Sequence, residues 1–394
     1  MTVSERMLNL GSERSVIREL FEYGKQRAAI VGKENVFDFS LGNPSVMPPE
    51  VVNETAIRIL SENPDFIHCY TSAQGDFTVR QRLADSLNQR NGTNYTADEF
   101  YVTVGAAAAL CCVFSALACE GDEFVAIAPY FPEYKVFVES TGAKFCLAEA
   151  DMENFQINFE ALEKCITKNT KAVIVNSPNN PSGVIYSKET LEKLAALLEE
   201  KSREYGMTIY LISDEPYREI VFGDKVVHWV PSVYKNTIVC YSFSKSLSLP
   251  GERLGYVLVP STVCDAKEVY SAVAGAGRSL GYVNAPSLFQ QVCSLCCDVT
   301  ADIAVYERNC KLLTNELSKM GYSFVKPDGA FYLLLKAFGE DDLAFSQKAK
   351  EFDILLVPGS GFGAKGYVRL AYCVETDMIL RALPRFKELA ESYK

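Results

Sequence analysis

A lysine, Lys245, follows a run of apolar residues that is typical of a buried strand. The run spans residues 237–241 and is short and rich in β-branched and aromatic residues. An ammonium group is costly to bury unless it is paired or neutral. One interpretation is a lysine that reaches the surface at a strand end, as most lysines do. The other is a neutral lysine whose amine forms a Schiff base with a carbonyl compound. The other polar residues at strand ends decide between the two.

Polar or small residues also follow other predicted strands. Gly105-Ala106-Ala107 joins a strand to a helix, where small residues let a phosphate approach the free N–H groups, although an ordinary tight turn fits equally well. Asn180 follows a second strand, and Asp214 ends a third. The carboxylate either caps a turn or holds a cationic ring nitrogen. Since open α/β sheets bind ligands beyond the carboxyl ends of their strands, these residues are candidates for one site.

Two arginines suit anionic ligands. Arg253 lies eight residues after Lys245 and is placed to pair with a phosphate. Arg369 lies inside the apolar strand 367–371. An arginine in such a strand needs a partner, and the carboxylate of a ligand would suffice.

Composition and charge limit the class of protein. The chain has 394 residues, 48% hydrophobic and 23% charged, which predicts a globular protein of two or three domains. Its net charge of -11 disfavours nucleic acid and anionic membranes as partners. No run of about 18 apolar residues predicts a membrane helix, and the first residues lack the pattern of a signal peptide.

The cysteines favour reduced thiols over a metal site. There are 13 cysteines, but the only histidines are His68 and His228. We therefore predict no metal site. Buried reduced thiols are typical of a cytoplasmic protein, and we expect that location.

The order of predicted elements indicates an α/β fold. Strands and helices alternate from about residue 100 to 260, which predicts a large domain with a mostly parallel sheet covered by helices. After residue 284 the pattern changes to a long helical stretch to Met320, strands at 330–335 and 367–371, and a closing helix from Thr376. This predicts a smaller α+β domain. The predicted limits are 1–45 for an N-terminal arm and part of the small domain, 46–284 for the large domain, and 285–394 for the small C-terminal domain.

Taken together, these residues match the needs of one cofactor. A lysine for a Schiff base, an aspartate for a pyridinium nitrogen and a phosphate cradle are what pyridoxal 5'-phosphate requires. Their order and spacing from Gly42 to Arg369 resemble the fold-type I, class I/II aminotransferase family. The N-terminal third of the chain, with Tyr70-x4-Gly75, is also similar to bacterial aspartate-aminotransferase-like members. The resemblance implies the aspartate aminotransferase fold, pyridoxal phosphate as cofactor in the large domain, and a homodimer with shared active sites.

The resemblance also implies a role for each site residue. The catalytic residues would be Lys245, Asp214 and, reaching the partner's phosphate, Tyr70. The phosphate would be bound by Gly105, Ala106, Ala107, Ser242 and Arg253. The pyridine ring would be bound by Phe131, Asn180, Asp214 and Tyr217, and the substrate carboxylate by Gly42, Asn180 and Arg369. Ala107 offers only its backbone, where many family members carry a polar side chain.

The implied reaction moves an amino group from an L-amino acid, with aspartate a candidate, to a 2-oxo acid such as 2-oxoglutarate. A second substrate carboxylate would suit a second guanidinium. Arg278, in a predicted glycine-flanked loop, is a candidate, although a solvated loop arginine is the commoner case.

Two alternatives use the same scaffold. A pyridoxal-phosphate-dependent C–S β-lyase would share every motif named above. A pyridoxal-phosphate-binding transcriptional regulator would need a basic N-terminal domain, and only about 40 residues precede Gly42. We therefore expect an enzyme.

Overall fold

The computed structural model describes residues 2–12 and 16–394. The chain forms two compact units. The large unit comprises Val46–Ala304 and Asp328–Ala330. The small unit comprises Met1–Ser45, Val305–Pro327 and Phe331–Lys394.

The helices and strands are numbered in chain order. The α-helices are α1 (Glu5–Ser12), α2 (Val16–Val31), α3 (Glu50–Glu62), α4 (Phe77–Asn91), α5 (Ala106–Leu117), α6 (Glu133–Ser140), α7 (Phe159–Cys165), α8 (Lys188–Tyr205), α9 (Val230–Val233), α10 (Phe243–Ser246), α11 (Ala266–Ser279), α12 (Ser287–Leu295), α13 (Ala304–Lys319), α14 (Asp342–Ala349) and α15 (Thr376–Glu391). The strands are β1 (Phe37–Asp38), β2 (Phe100–Thr103), β3 (Glu123–Ile127), β4 (Lys144–Ala148), β5 (Thr170–Asn176), β6 (Tyr210–Asp214), β7 (Thr237–Ser242), β8 (Gly255–Leu258), β9 (Tyr332–Lys336), β10 (Ile354–Leu355), β11 (Val357–Pro358) and β12 (Tyr367–Ala371).

The large unit is built on a seven-stranded sheet, as far as the described residues go, in the order β2-β8-β7-β6-β5-β3-β4. β8 runs antiparallel to both of its neighbours, and the other pairs are parallel. β3, β6 and β7 are buried along their whole length, which explains their continuous apolar sequences. The predicted mostly parallel sheet is confirmed.

Helices cover both faces of this sheet. On one face, Leu110 of α5 and Tyr134 of α6 share a buried cluster with Cys240 of β7. On the other face, Val292 of α12 packs in a cluster with Val239. Adjacent residues of β7 thus enter opposite cores, as the two-residue period of a strand requires.

The small unit combines helices with short strands, as predicted. β11, β12 and β9 form an antiparallel sheet, and β1 pairs with β10 in parallel. The amphipathic α15 buries Ile379, Phe386 and Leu389. In the described residues, no helix has the length and apolar character needed to cross a membrane.

One predicted element is wrong. The sequence favoured a continuous helical stretch from 285 to Met320, but α12 ends at Leu295 and α13 begins at Ala304. The intervening segment bonds to the rest of the large unit instead: Asp298 accepts a hydrogen bond from Ser86 at 2.5 Å, and the Ala301 N–H donates to the Ser246 carbonyl at 2.8 Å. The β-branched Val299 and Thr300 also have low helix propensity.

Candidate active site

The carboxyl ends of several strands in the large unit lie at one edge of the sheet, which we call the carboxyl edge. β3, β5, β6 and β7 are parallel, so their last residues lie there. β2 points the same way because β8 is antiparallel to both β2 and β7. β8 therefore begins at this edge, and Gly255 is paired with both Thr103 and Ser242. The topology therefore places residues that are far apart in sequence next to one another along the carboxyl edge.

Lys245 lies on the short helix α10, directly after β7. The Ser242 hydroxyl caps this turn by accepting a hydrogen bond from the Ser244 N–H at 3.2 Å. Phe243 and Leu247 are buried on either side of the lysine, while Lys245 itself is half-buried. The turn is thus anchored in the core and carries the amine at the carboxyl edge.

Gly105 and Arg253 form the wall of a candidate anion-binding subsite. Gly105 adopts a φ of 91°, and a Cβ atom there would lie 2.6 Å from Arg253 Nη2. Only glycine permits both the conformation and this approach. Gly105 is also the N-cap of α5 and supplies no side-chain acceptor for the first N–H groups of the helix. These groups and the guanidinium suit a phosphate.

Arg253 is held by its own neighbours. Its backbone is left-handed, with a φ of 52°, a conformation that disfavours non-glycine residues. Its Nη1 donates to the Ser244 hydroxyl at 3.3 Å and to the Pro250 carbonyl at 2.9 Å. Strain of this kind clusters at ligand sites. The subsite therefore includes Ser244, which the sequence analysis did not identify.

Asp214, the last residue of β6, is a buried acid with one satisfied oxygen. Its Oδ2 accepts a hydrogen bond from the Tyr134 hydroxyl at 2.5 Å. Its Oδ1 is buried and has no hydrogen-bond partner among the described residues. Burial raises the pKa of Asp214 from 3.8 to about 7, the Tyr134 bond lowers this pKa, and the charge of Glu215 raises it. This is an acid that is poised near neutral pH and lacks a partner for one oxygen.

An asparagine bridges Asp214 and Asn180. The Asn176 side chain donates to the Asp214 carbonyl at 2.8 Å and accepts from the Asn180 N–H at 2.7 Å. Asn176 ends β5, next to Asp214 in the parallel register. The bridge fixes the backbone of Asn180 beside the end of β6.

Two aromatic residues that the sequence pointed to lie close to Tyr134 or Asp214. Phe131 makes an edge-to-face contact with Tyr134, with centroids 5.6 Å apart. Tyr217 is buried in the turn after β6, and its charge interaction with Tyr134 contributes to the raised pKa of that phenol, for which burial is the main cause. Both residues thus lie beside Tyr134, whose hydroxyl bonds Asp214.

The residues at the carboxyl edge fit pyridoxal phosphate. The Asp214 Oδ1 lacks the donor that a protonated ring nitrogen would supply. The start of α5, with Arg253, offers N–H donors for a phosphate. A half-buried lysine, Lys245, provides the amine. These three features match the three ends of the cofactor.

Tyr70 lies in a different setting within the large unit. Its side chain is 95% exposed. The backbone around it is tied down, because Asn284 donates to the Thr71 and Ser72 carbonyls at 2.8 and 3.0 Å. The fully buried Gln290 donates to the Thr71 hydroxyl at 3.1 Å. The loop is held firmly while the ring of Tyr70 faces outward.

Gly42 and Arg369 belong to the small unit. Arg369 is 2% exposed, and its guanidinium carbon lies 4.8 Å from the ring centroids of both Tyr332 and Phe362. Its Nη2 donates to the Ser40 carbonyl at 2.5 Å. A Cβ on Gly42 would overlap the Tyr332 hydroxyl. Gly42 and Arg369 therefore share Tyr332 as a neighbour.

Arg278 is not in a loop, as the sequence suggested, but in the last turn of α11. Gly275 and Gly277 are both helical, and a Cβ on Gly277 would overlap the Tyr101 hydroxyl. The glycine thus serves close packing of the helix rather than a turn. The Arg278 side chain is exposed.

Three residues that contact the predicted ones were not expected from the sequence: Tyr134, Asn176 and Ser244. Tyr134 follows Phe131 by three residues, the spacing of one helical turn, so a signal was present. Asn176 directly follows the predicted strand 171–175, so it met the condition that singled out Asn180 and Asp214, a polar residue at or after a strand end. Ser244 gave no signal, because its contact to Arg253 depends on the left-handed backbone of that arginine.

Comparison with known proteins agrees with this geometry. Residues 34–386 match the family aminotransferase class I and II. The chain is 31% identical to an aspartate aminotransferase of Thermotoga maritima, over 93% of this chain and 95% of the relative.

Solved structures agree as well. The crystal structure of an amino transferase from Eubacterium rectale is 55% identical and superimposes with a TM-score of 0.98 over all of both chains. The aspartate aminotransferase of Thermus thermophilus with maleate is 28% identical, with a TM-score of 0.86 over 99% of this chain and 100% of that chain. The implied aspartate aminotransferase fold is confirmed, and the chain belongs to the class I and II aminotransferases, a family of pyridoxal-phosphate-dependent enzymes.

Proposed function

We propose that this amino acid aminotransferase binds pyridoxal 5'-phosphate at the carboxyl edge and transfers the amino group of a small acidic or polar L-amino acid, with aspartate the first candidate, to 2-oxoglutarate. The observation that carries the proposal is the buried Asp214, whose Oδ1 has no hydrogen-bond partner among the described residues. Such an oxygen is costly to bury and is accounted for by a ligand that donates to it.

Each residue at the carboxyl edge has a binding role in this proposal. Lys245 holds the cofactor covalently. Ser242, Arg253 and the backbone of Gly105, Ala106 and Ala107 bind its phosphate. Phe131 packs against its ring, and Asn180 and Tyr217 bond its 3-oxygen. The hydrogen bonds of Arg253 to Ser244 and Pro250 support this assignment, because they fix the guanidinium before a ligand arrives.

The reaction depends on charge and orientation. The cofactor, when bound, supplies an electron sink for the Cα–H bond of the substrate. Asp214 holds the proton at the ring nitrogen. Once the substrate amine has displaced it from the cofactor, Lys245 would move the proton from the substrate Cα to the C4′ carbon of the cofactor as general acid–base. Arg369 and Gly42 bind the substrate carboxylate and so orient the Cα–H bond.

The names of the relatives support the choice of substrate. The Thermotoga maritima relative is an aspartate aminotransferase, and the Thermus thermophilus enzyme was solved with maleate, a dicarboxylate. The relatives reported are aminotransferases, so the β-lyase alternative is not favoured. Arg278 stays a candidate for the second carboxylate, and its exposed place on α11 leaves it open to a ligand.

We further propose a cytoplasmic homodimer with shared active sites. The exposure of Tyr70 on a firmly held loop supports a role outside its own protomer. Exposed Phe66, Leu280 and Val283 offer apolar surface in the same unit. Thirteen free cysteines support a reducing compartment.

The cofactor linkage is tested by labelling. Borohydride reduction of the protein with added pyridoxal phosphate should fix the cofactor, and peptide mapping should find it on Lys245. Lys245→Ala is the control and should remain unlabelled. A label on another lysine, or a colourless protein, contradicts the proposal.

The reaction is tested with a panel of amino acids and 2-oxoglutarate. Glutamate and pyruvate plus ammonia are measured separately, because glutamate reports amino transfer and pyruvate plus ammonia reports elimination. We expect glutamate as the product, and aspartate as the amino donor that forms it fastest. Arg278→Ala should lower kcat/KM for aspartate more than for alanine if Arg278 binds the second carboxylate.

The shared site is tested by mixing two inactive variants. Lys245→Ala and Tyr70→Ala subunits, mixed and allowed to exchange, form hybrids with one intact site if Tyr70 serves the partner. We expect activity to reappear on mixing. Failure to recover activity despite proven exchange contradicts a shared site.

A further inference from the structure

Tyr134 is a buried phenol in the first turn of α6, three residues after Phe131. It is 2% exposed and lies within the core cluster on one face of the sheet. Its hydroxyl donates to the Asp214 Oδ2 at 2.5 Å. Burial and the neighbouring Asp214 charge raise the pKa of this phenol well above 10, so it stays a neutral donor.

The two oxygens of Asp214 therefore differ. Oδ2 is occupied by Tyr134, and Oδ1 has no hydrogen-bond partner in the part of the chain that the structure describes. A carboxylate with one oxygen bound can no longer rotate freely. The tyrosine thus determines which oxygen is offered to a ligand and in which direction.

The Tyr134 hydroxyl is a neutral donor, so it does not neutralise the charge of the Asp214 carboxylate. The titratable groups that interact with Tyr134, Asp214 or Cys240 are Tyr217, Glu215, Cys240, Cys111 and Cys112. None of these five residues is a cation. A hydrogen bond from a phenol favours the ionised carboxylate without cancelling its charge. The negative charge stays available for a cationic ligand.

We propose that Tyr134 is a positioning residue for amino transfer: it binds the Asp214 Oδ2 and so leaves the charged Oδ1 to the ring nitrogen of the cofactor. The inference rests on the proposed function and extends it to a residue that touches neither substrate nor cofactor. It makes a specific claim, namely that Tyr134 matters only for ligands that carry the ring nitrogen.

The experiment compares two ligands with two tyrosine variants. Cofactor-free wild type, Tyr134→Phe and Tyr130→Phe are titrated with pyridoxal phosphate and with its 1-deaza analogue, in which carbon replaces the ring nitrogen. Binding is measured by the cofactor absorption band. Tyr130 is the matched control: it is a buried tyrosine 6.5 Å from Tyr134, measured between ring centroids, and makes no hydrogen bond to Asp214.

We expect Tyr134→Phe to weaken the binding of pyridoxal phosphate by about tenfold, the size typical of a hydrogen bond to a charged group. Binding of the deaza analogue should change by less than about twofold, because no ring nitrogen meets Oδ1. Tyr130→Phe should affect both ligands equally or not at all. Equal losses for both ligands in Tyr134→Phe would mean a purely structural role and overturn the inference, as would no loss for either.

Failure of the proposed function and failure of a variant to fold are each distinguishable from failure of the inference. If wild type binds neither ligand, the proposed function itself is wrong, which differs from a failure of Tyr134 alone. If Tyr134→Phe does not fold, 3-fluorotyrosine at position 134 keeps the ring and the bond but is a stronger donor. It should then change the affinity for pyridoxal phosphate and not for the deaza analogue, and equal changes would contradict the inference.

Discussion

Two neighbouring carboxylates at the end of β6 face opposite sides of the sheet and have opposite surroundings. Asp214 meets Tyr134 in the core cluster of one face, and its Oδ1 has no partner among the described residues. Glu215 accepts from the Ser213 hydroxyl at 2.8 Å and forms an ion pair with Arg218 at 3.0 Å. Both acids are buried, but only one is satisfied by the chain itself.

The surroundings of Glu215 are those of a structural ion pair. Arg218 also bonds Glu219 at 3.2 Å, and its guanidinium lies 4.3 Å from the centroid of the Tyr241 ring. Burial raises the pKa of Glu215 even so, with Arg218 lowering it. A buried acid with complete partners contributes to folding, whereas one with an empty oxygen costs stability and is kept for a ligand.

The largest effect is expected for Asp214→Asn. The neutral amide cannot hold a proton on the ring nitrogen, so kcat should fall by roughly 1,000-fold, equal to about 4 kcal/mol. The fold should be intact by circular dichroism. Glu215→Gln is the control and should keep kcat within about threefold. A near-normal kcat in Asp214→Asn would remove Asp214 from the mechanism.

The second prediction concerns pH and the cofactor-free protein. Burial raises the pKa of Asp214 in the folded protein to about 7, from the ordinary value of 3.8. The protonated acid therefore favours the folded protein. This contribution to the free energy of unfolding is lost as the pH rises from about 4 to 7. The stability of Asp214→Asn relative to wild type should grow over this range, by up to roughly 4 kcal/mol.

Urea unfolding of both proteins at several pH values measures this difference. The contributions of most other titrating groups cancel in the difference, because wild type and Asp214→Asn share these groups. The exception is Glu215, whose charge is coupled to Asp214. Bound pyridoxal phosphate should reduce the pH dependence, since a cationic ring nitrogen keeps the carboxylate ionised. A difference that does not vary between pH 4 and 7 would mean that Asp214 has an ordinary pKa.

Much of the large unit was predictable because its signals are local. Continuous apolar strands, each followed by a polar or small residue, identified the sheet and also Asp214, Asn180 and Lys245 as residues at its carboxyl edge. The topology then guarantees that strand ends meet. The break between α12 and α13 was not predictable from local pattern. It depends on the hydrogen bond that Asp298 accepts from Ser86, more than 200 residues away.

The different side-chain partners of Asp214 and Glu215 also could not be predicted from the sequence. The three-residue spacing from Phe131 placed Tyr134 near a predicted site residue, but it did not indicate a contact with Asp214, 80 positions away. In the small unit, Arg369 was identified as an unusual charge in a strand. Its neighbours Ser40, Tyr332 and Phe362 come from three distant segments and could not be assigned.

The third prediction tests the structural acid. Glu215→Gln removes one charge of a buried pair and leaves Arg218 with Glu219 as its remaining carboxylate. The free energy of unfolding should fall by about 3 kcal/mol, measured by urea unfolding at pH 7. Asp214→Asn is the control and should be no less stable than wild type. An unchanged stability in Glu215→Gln would contradict the assigned structural role.

The smallest effect is expected for Ser213→Ala. Ser213 and Glu215 are two residues apart, on the same side of the strand, and the serine hydroxyl donates to the Glu215 Oε1 at 2.8 Å. Its loss should lower the free energy of unfolding by about 1.5 kcal/mol, the low end for a bond to a charged group. Because Ser213 faces away from Asp214, kcat should not change.

Ser346→Ala provides a matched control for this substitution. Ser346 is as buried as Ser213, but its hydroxyl donates to the neutral carbonyl of Leu356 at 2.7 Å. Its loss should cost only about 1 kcal/mol. If Ser213→Ala lowers kcat while leaving stability unchanged, the Glu215 side of the sheet also acts in the reaction, and the division between the two carboxylates fails.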